Sequence, residues 1–169
     1  MKFNLKFITV IGIILVAAVI RLLPHWPNFT PIAAIALFGG VYFSDKRLAF
    51  LIPFATLFLT DLVIGFHSTM AFTYIGFFIT ILLGLWLRNS VKPAKLIGVS
   101  ILSSVLFFLV TNFGVWMMEG IYPQTVPGLI ECYVAAIPFF HYSLLGDLLY
   151  TSVLFGGYYA LSSKITALA

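Results

Sequence analysis

Apolar residues in this chain fall in long blocks, broken by short polar gaps. The blocks run from Leu5 to Leu23, Pro31 to Phe43, Leu48 to Phe66, Met70 to Leu87, Leu96 to Met117 and Pro138 to Leu161. Most are near the roughly 20 residues that a helix rising about 1.5 Å per residue needs to cross a bilayer. The pattern predicts an all-α integral membrane protein: a single transmembrane domain over 1–169, built as a bundle of about six helices. The second block is short, and either begins earlier, around Asn28, or is a re-entrant element. One longer interval, 118–137, reads as an outer lid loop. Pro123, Pro127 and Gly128 interrupt helices there, and Tyr122 and Tyr133 bring amphipathic rings.

Composition closes off soluble alternatives. The chain is 62% hydrophobic and 8% charged, with a mean hydropathy of +1.13, against an apolar share of about 45–50% in soluble domains. The charges sort by sign. Lys2, Lys6, Lys46, Arg47, Arg88, Lys92, Lys95 and Lys164 occupy one alternate set of gaps. Arg21, His25, Asp61, His67, Glu119, Glu131, His141 and Asp147 lie in or near the other. The basic set predicts cytoplasmic N and C termini. The net charge of +4 and pI near 9.3 follow from that orientation and give no reason to invoke nucleic acid. No small-residue cleavage site precedes Arg21, so the first block is expected to be retained as a span. Cys132 is the only cysteine, which rules out an internal disulfide.

A carboxylate inside a spanning helix costs about 2.5–3.5 kcal/mol on insertion scales and normally faces a partner or a wet cavity. Asp61 and Asp147 are the two to explain. Ser143, Asp147, Tyr150 and Thr151 share one helix face by i+3 and i+4 spacing, and Asn112, Trp116 and Glu119 form another polar strip. These strips could line a cavity open to the outside. The plainer alternative is structural: Asp61 pairs with Arg21, and Asp147 accepts hydrogen bonds from Tyr or Thr on neighbouring helices. The number of polar groups projecting to the outer third favours a binding site. The Asp-Leu pairs of LTDL and LGDL fall in helices of opposite direction, as an inverted repeat requires, although a Leu-rich chain produces such pairs readily.

Catalytic signatures are missing: no His-Glu-x-x-His, no Gly-x-Ser-x-Gly and no phosphate or dinucleotide loop. No cofactor is called for. Scattered histidines and carboxylates at the outer face leave a membrane enzyme or metal-binding scaffold as one alternative, and a structural subunit of a larger complex as another. Small residues at Ala33, Ala36 and Gly40, and at Gly156 and Ala160, have the spacing that lets helices approach closely. They serve either packing within the chain or the docking of a partner helix.

The stretches RLLPHWPNFTPIAAIALFGG, LTDLVIGFHS, TNFGVW, YPQTVPGLIECYVAAIPFF and LLGDLLY resemble a group of uncharacterised bacterial inner-membrane putative transport proteins. That group is similar to the S components, the substrate-binding subunits, of energy-coupling-factor vitamin transporters. The resemblance implies a six-helix protein that captures a micronutrient from outside and docks on a transmembrane coupling subunit driven by two ATPases. S components commonly carry Ala-x-x-x-Ala on the first helix, whereas the nearest match here, Ala36 to Gly40, is on the second. Some relatives bind cobalamin, which makes it the leading candidate ligand, with His67, His25 or Cys132 as conceivable cobalt ligands. The expected function is therefore substrate capture without chemistry. Trp26, Trp116, Tyr122 and Tyr133 would cover a small molecule, with His141 nearby. Asn28, Asp61, His67, Asn112 and Asp147 would orient it, and Arg21 would pair with Asp61 or an acidic ligand group.

Overall fold

A computed structural model describes residues 5–23 and 28–167, with side chains over 7–23 and 28–162. Six α-helices are present among the described residues: α1 Leu5–Leu22, α2 Ile32–Tyr42, α3 Lys46–Ile64, α4 Met70–Leu87, α5 Pro93–Met118 and α6 Val126–Ala167. A 3-10 turn over Arg88–Ser90 separates α4 from α5. Helices α3 to α6 are long and apolar enough to cross a membrane, which marks a multi-pass membrane protein. Sequence patterning predicts six crossings; among the described residues four helices meet the length and hydropathy of a span, and α2 does not.

Helix α2 shows why. Its 11 residues extend about 16 Å at 1.5 Å per residue, half of a hydrocarbon core about 30 Å thick. Pro31 stands at its N-cap position and Ile35 N–H donates to the Pro31 carbonyl, so the helix starts after Pro31 and not at Asn28. It is apolar on every side because protein surrounds it: every residue from Ala33 to Val41 is buried. Ile35, Leu37 and Phe38 meet Ile14 and Ala17 of α1, Ala49 of α3, Leu87 of α4, Val99 of α5 and Leu154 and Phe155 of α6 in one core. Ala36 joins a second cluster with Leu57, Phe77 and Ile81. A short helix is tolerable at this depth because its ends are enclosed by protein rather than lipid.

Ala33, Ala36 and Gly40 are thus taken up by internal packing, which corrects their expected availability to a partner. A Cβ on Gly40 would lie 2.6 Å from the Ile81 carbonyl oxygen and 2.9 Å from Gly84 Cα. Here α2 and α4 touch backbone to backbone, as small-residue spacing permits. Gly156 and Ala160 differ: both are exposed on α6, and a Cβ on Gly156 would meet open space.

The C-terminal carbonyls of α2 are satisfied from outside the helix. Arg88 donates through Nε and one terminal nitrogen to the Gly40 carbonyl at 3.3 and 3.0 Å, through the other terminal nitrogen to Ser44 O at 3.1 Å, and also to Phe43 O. A guanidinium at a helix C-terminus answers both the orphan carbonyls and the negative end of the dipole. Asp45 then caps α3 by accepting from Arg47 N–H at 2.8 Å.

The expected lid over 118–137 is a loop only as far as Thr125, and α6 begins at Val126. Thr125 acts as the N-cap, its Oγ1 accepting from Gly128 N–H at 3.3 Å and its carbonyl from Leu129 N–H at 2.9 Å. Pro127 falls in the first turn, where its missing N–H costs nothing. Helix α6 continues through Pro138 for 42 residues, about 63 Å by rise per residue.

Candidate functional site

At the end of the bundle where α1 finishes and α2 begins, two buried carboxylates sit in unlike surroundings. Asp61, near the end of α3, is 2% exposed. Its Oδ1 accepts from Arg21 of α1 at 2.6 Å and its Oδ2 from the Tyr74 hydroxyl of α4 at 3.0 Å. Arg21 also donates to Leu57 O at 3.3 Å and to Thr60 Oγ1. One cation therefore ties α1 to α3, and both Asp61 oxygens are engaged. The geometry is that of a structural ion pair, and Asp61 does not line the polar cavity between α5 and α6.

Asp147 of α6, also buried, has no cationic partner among the described residues. Its Oδ2 accepts from Ser104 Oγ of α5 at 2.6 Å, and one turn away Ser100 Oγ stands 3.4 Å from Thr151 Oγ1. This hydroxyl ladder sets the register of α5 against α6.

Above Ser104 lies a cavity of ≈ 110 Å³ between α5, α6 and the connection from α1 to α2. It is bounded by Asn28, Ser104, Thr111, Asn112 and Ser143, and by the rings of Phe107, Phe108, Phe139 and Phe140, with Ala136. Two features bring Asn28 there. Its φ of 63° is a left-handed conformation that asparagine tolerates better than most residues. In addition, Gly146 lets the connection press onto α6, since a Cβ there would lie 3.2 Å from Phe29 Cα. Phe29 in turn packs against Tyr150, ring centroids 5.6 Å apart. The predicted strip on α6 is thus spread over this surface, with Ser143 on the cavity, Asp147 under it and Tyr150 beneath the connection.

The structure brings together Asn28, Asn112 and Ser143, with Asp147 one hydroxyl away. Other candidates have different positions. Trp116 Nε1 donates to Pro123 O at 2.8 Å, and Gln124 donates to the Trp116 carbonyl, so this ring pins the loop after α5. Tyr133 reaches across to Leu109 O at 2.8 Å, joining α6 to α5. Tyr122 is half-buried in the loop. None of the three lines the cavity. His67 is exposed, its Nε2 3.4 Å from Thr73 Oγ1. His141 is exposed too and lies against the Tyr142 ring with centroids 4.0 Å apart. Cys132 is buried and donates to Asn112 O at 3.4 Å. Glu119 accepts from Ser68, linking the two loops at this end. His25 and Trp26 lie outside the described residues. Among the described residues, no three His, Cys, Asp or Glu side chains gather as a metal site.

A profile of DUF6580, a family of unknown function, matches residues 1–168. The chain belongs to that family. No curated protein and no solved structure matches this DUF6580 protein.

Ser104 and the four phenylalanines were not singled out from the sequence. For Ser104 a signal existed: Ser100, Ser104 and Thr111 fall at intervals of four and seven within an apolar helix, a polar stripe at helical spacing. For the rings there was none, because phenylalanine occurs 18 times in the chain.

Proposed function

We propose that this DUF6580 protein is the substrate-capturing subunit of a membrane uptake system, binding a small polar solute that arrives from the side opposite the basic loops. The observation that carries the reading is the cavity itself, where amides and hydroxyls from three separate elements converge within an otherwise apolar bundle. The hydroxyls of Ser104 and Thr111 and the amide nitrogen of Asn112 already donate within the protein, so it is their acceptor positions that remain for a solute. The basic residues of the Asp45–Arg47 and Arg88–Lys95 segments lie at the other end, and the positive-inside rule makes that end cytoplasmic. Both termini are then cytoplasmic.

The size of the cavity narrows the solute. Sites for drug-sized ligands are about 300–1,000 Å³, and ≈ 110 Å³ admits a solute of a few heavy atoms or a few waters at about 30 Å³ each. A small polar solute fits this volume; cobalamin is far larger than it. Accumulation would be driven by a separate transmembrane coupling subunit with two ATPases, as the resemblance to S components suggests, since the chain has no phosphate loop. Of the small residues expected to meet such a partner, Gly156 and Ala160 remain exposed.

The test is equilibrium binding of a panel of hydrophilic solutes to the purified chain in detergent. Asn112→Leu, which replaces an amide on the cavity wall with an apolar group, is expected to weaken binding at least tenfold. Trp116→Phe, away from the cavity, is expected to leave it unchanged. Equal affinity in Asn112→Leu and the parent chain would refute the cavity as the site.

A further inference from the structure

We infer that the solute taken by this cavity is a small organic cation, an amine or ammonium, with Asp147 as its counter-charge; the inference rests on the capture reading above. The two buried carboxylates are the starting point. Asp61 is neutralised within the protein by Arg21 at 2.6 Å, whereas among the described residues Asp147 has one hydroxyl, Ser104, as its partner. A carboxylate buried without a cation carries a large desolvation cost as an anion, and the cost is relieved when a cation arrives.

Asp147 also has an oxygen free to receive it. No buried side-chain oxygen or nitrogen among the described residues is left without a hydrogen bond. Among the described residues Oδ1 of Asp147 accepts none, so this oxygen is not fully enclosed. Oδ2 is joined through Ser104 to the cavity, which Ser104 lines. A small ligand in the cavity meets Ser104 and the amide of Asn112, with the carboxylate directly behind the Ser104 hydroxyl.

The walls specify what kind of cation. A bare metal ion calls for several oxygen ligands at short range, preferably carboxylates, and here neutral amides and hydroxyls share the wall with Phe107, Phe108, Phe139 and Phe140. Phe108 and Phe140 pack with centroids 4.9 Å apart at an interplanar angle of 51°. Aromatic walls with a carboxylate behind them suit an organic ammonium, whose charge is attracted to ring faces while its carbon skeleton is accepted by them. The amides and hydroxyls then read a polar substituent on that skeleton.

The test compares ethanolamine and methylammonium with ethylene glycol, a neutral analogue of ethanolamine, on the purified full chain by equilibrium dialysis. Asp147→Asn keeps the shape and the hydrogen bond from Ser104 while removing the charge. Size exclusion and thermal unfolding establish that this variant is folded. Ethanolamine is expected to bind the parent chain at least tenfold more tightly than ethylene glycol, and Asp147→Asn to abolish that preference. Phe108→Leu, with the carboxylate intact, is expected to weaken ethanolamine severalfold and leave ethylene glycol unchanged. If ethylene glycol binds as tightly as ethanolamine, or Asp147→Asn keeps the preference, the cation assignment is overturned while the cavity stands. If neither amine binds and uncharged solutes of the wider panel do, the same conclusion holds. Binding of nothing at all overturns both readings.

Discussion

Replacing Arg21 with methionine leaves Asp61 as a buried carboxylate held by Tyr74 alone. The two side chains of the pair retain 11% and 3% of their exposure and meet at 2.6 Å, so water offers the orphaned charge little relief. Breaking a buried pair from one side costs about 3–5 kcal/mol, most of it the cost of the partner left behind. The hydrogen bonds Arg21 makes to Leu57 and Thr60 add less, since interhelical bonds in membranes average about 0.6 kcal/mol. Arg21→Met is therefore expected to lower stability by about 3–5 kcal/mol, and Arg21→Met with Asp61→Leu to recover most of that loss because both charges are gone. Equilibrium unfolding in mixed micelles of increasing dodecyl sulfate content reads both values. A single-variant loss under about 1 kcal/mol, the range of an exposed pair, would refute the burial argument. A double variant as unstable as the single one would refute the attribution to charge.

Three further outcomes follow from the packing. Gly84→Val is expected to destabilise by at least about 1–3 kcal/mol, because a Cβ there would stand 2.5 Å from the Leu37 carbonyl oxygen; Gly156→Val, facing open space, is the control expected to change little by the same assay. Arg88→Ala removes the donors to the Gly40, Phe43 and Ser44 carbonyls and is expected to cost about 1–3 kcal/mol, with Arg88→Lys restoring only part because an ammonium lacks the fork. Trp116→Phe, which loses the bond to Pro123 O, is expected to speed amide exchange within 119–125 without slowing or speeding it in α2; an unchanged loop would show that the indole does not hold it.

Helix edges were legible wherever lipid is the neighbour. For α1, α3, α4 and α5 the predicted blocks end within a few residues of the observed helices, because a lipid-facing helix must stay apolar along its length. The edges of α2 are as legible, Pro31 to Phe43 against Ile32–Tyr42; what hydropathy leaves open is whether it crosses, because it cannot tell a helix wrapped in lipid from one wrapped in protein. The start of α6 was missed because Pro127 and Gly128 were taken as breakers, whereas their meaning depends on Thr125 capping the turn before them. In the site, Arg21 and Asp61 were recognised as possible partners from similar depth. The Asp147–Ser104 contact was not, since it depends on how α5 and α6 rotate against each other, and that is set by distant packing. Trp116 and Tyr133 have the chemistry of ligand-covering rings, yet backbone carbonyls of their own neighbourhood claim them.

Access to Asn112 from the face opposite the basic loops is the most direct test of the capture reading. With Cys132→Ala removing the native thiol, Asn112→Cys in intact cells is exposed to a membrane-impermeant thiol reagent. The cavity predicts labelling from outside in the intact cells. Labelling only in inside-out vesicles, or none from either face, would contradict it.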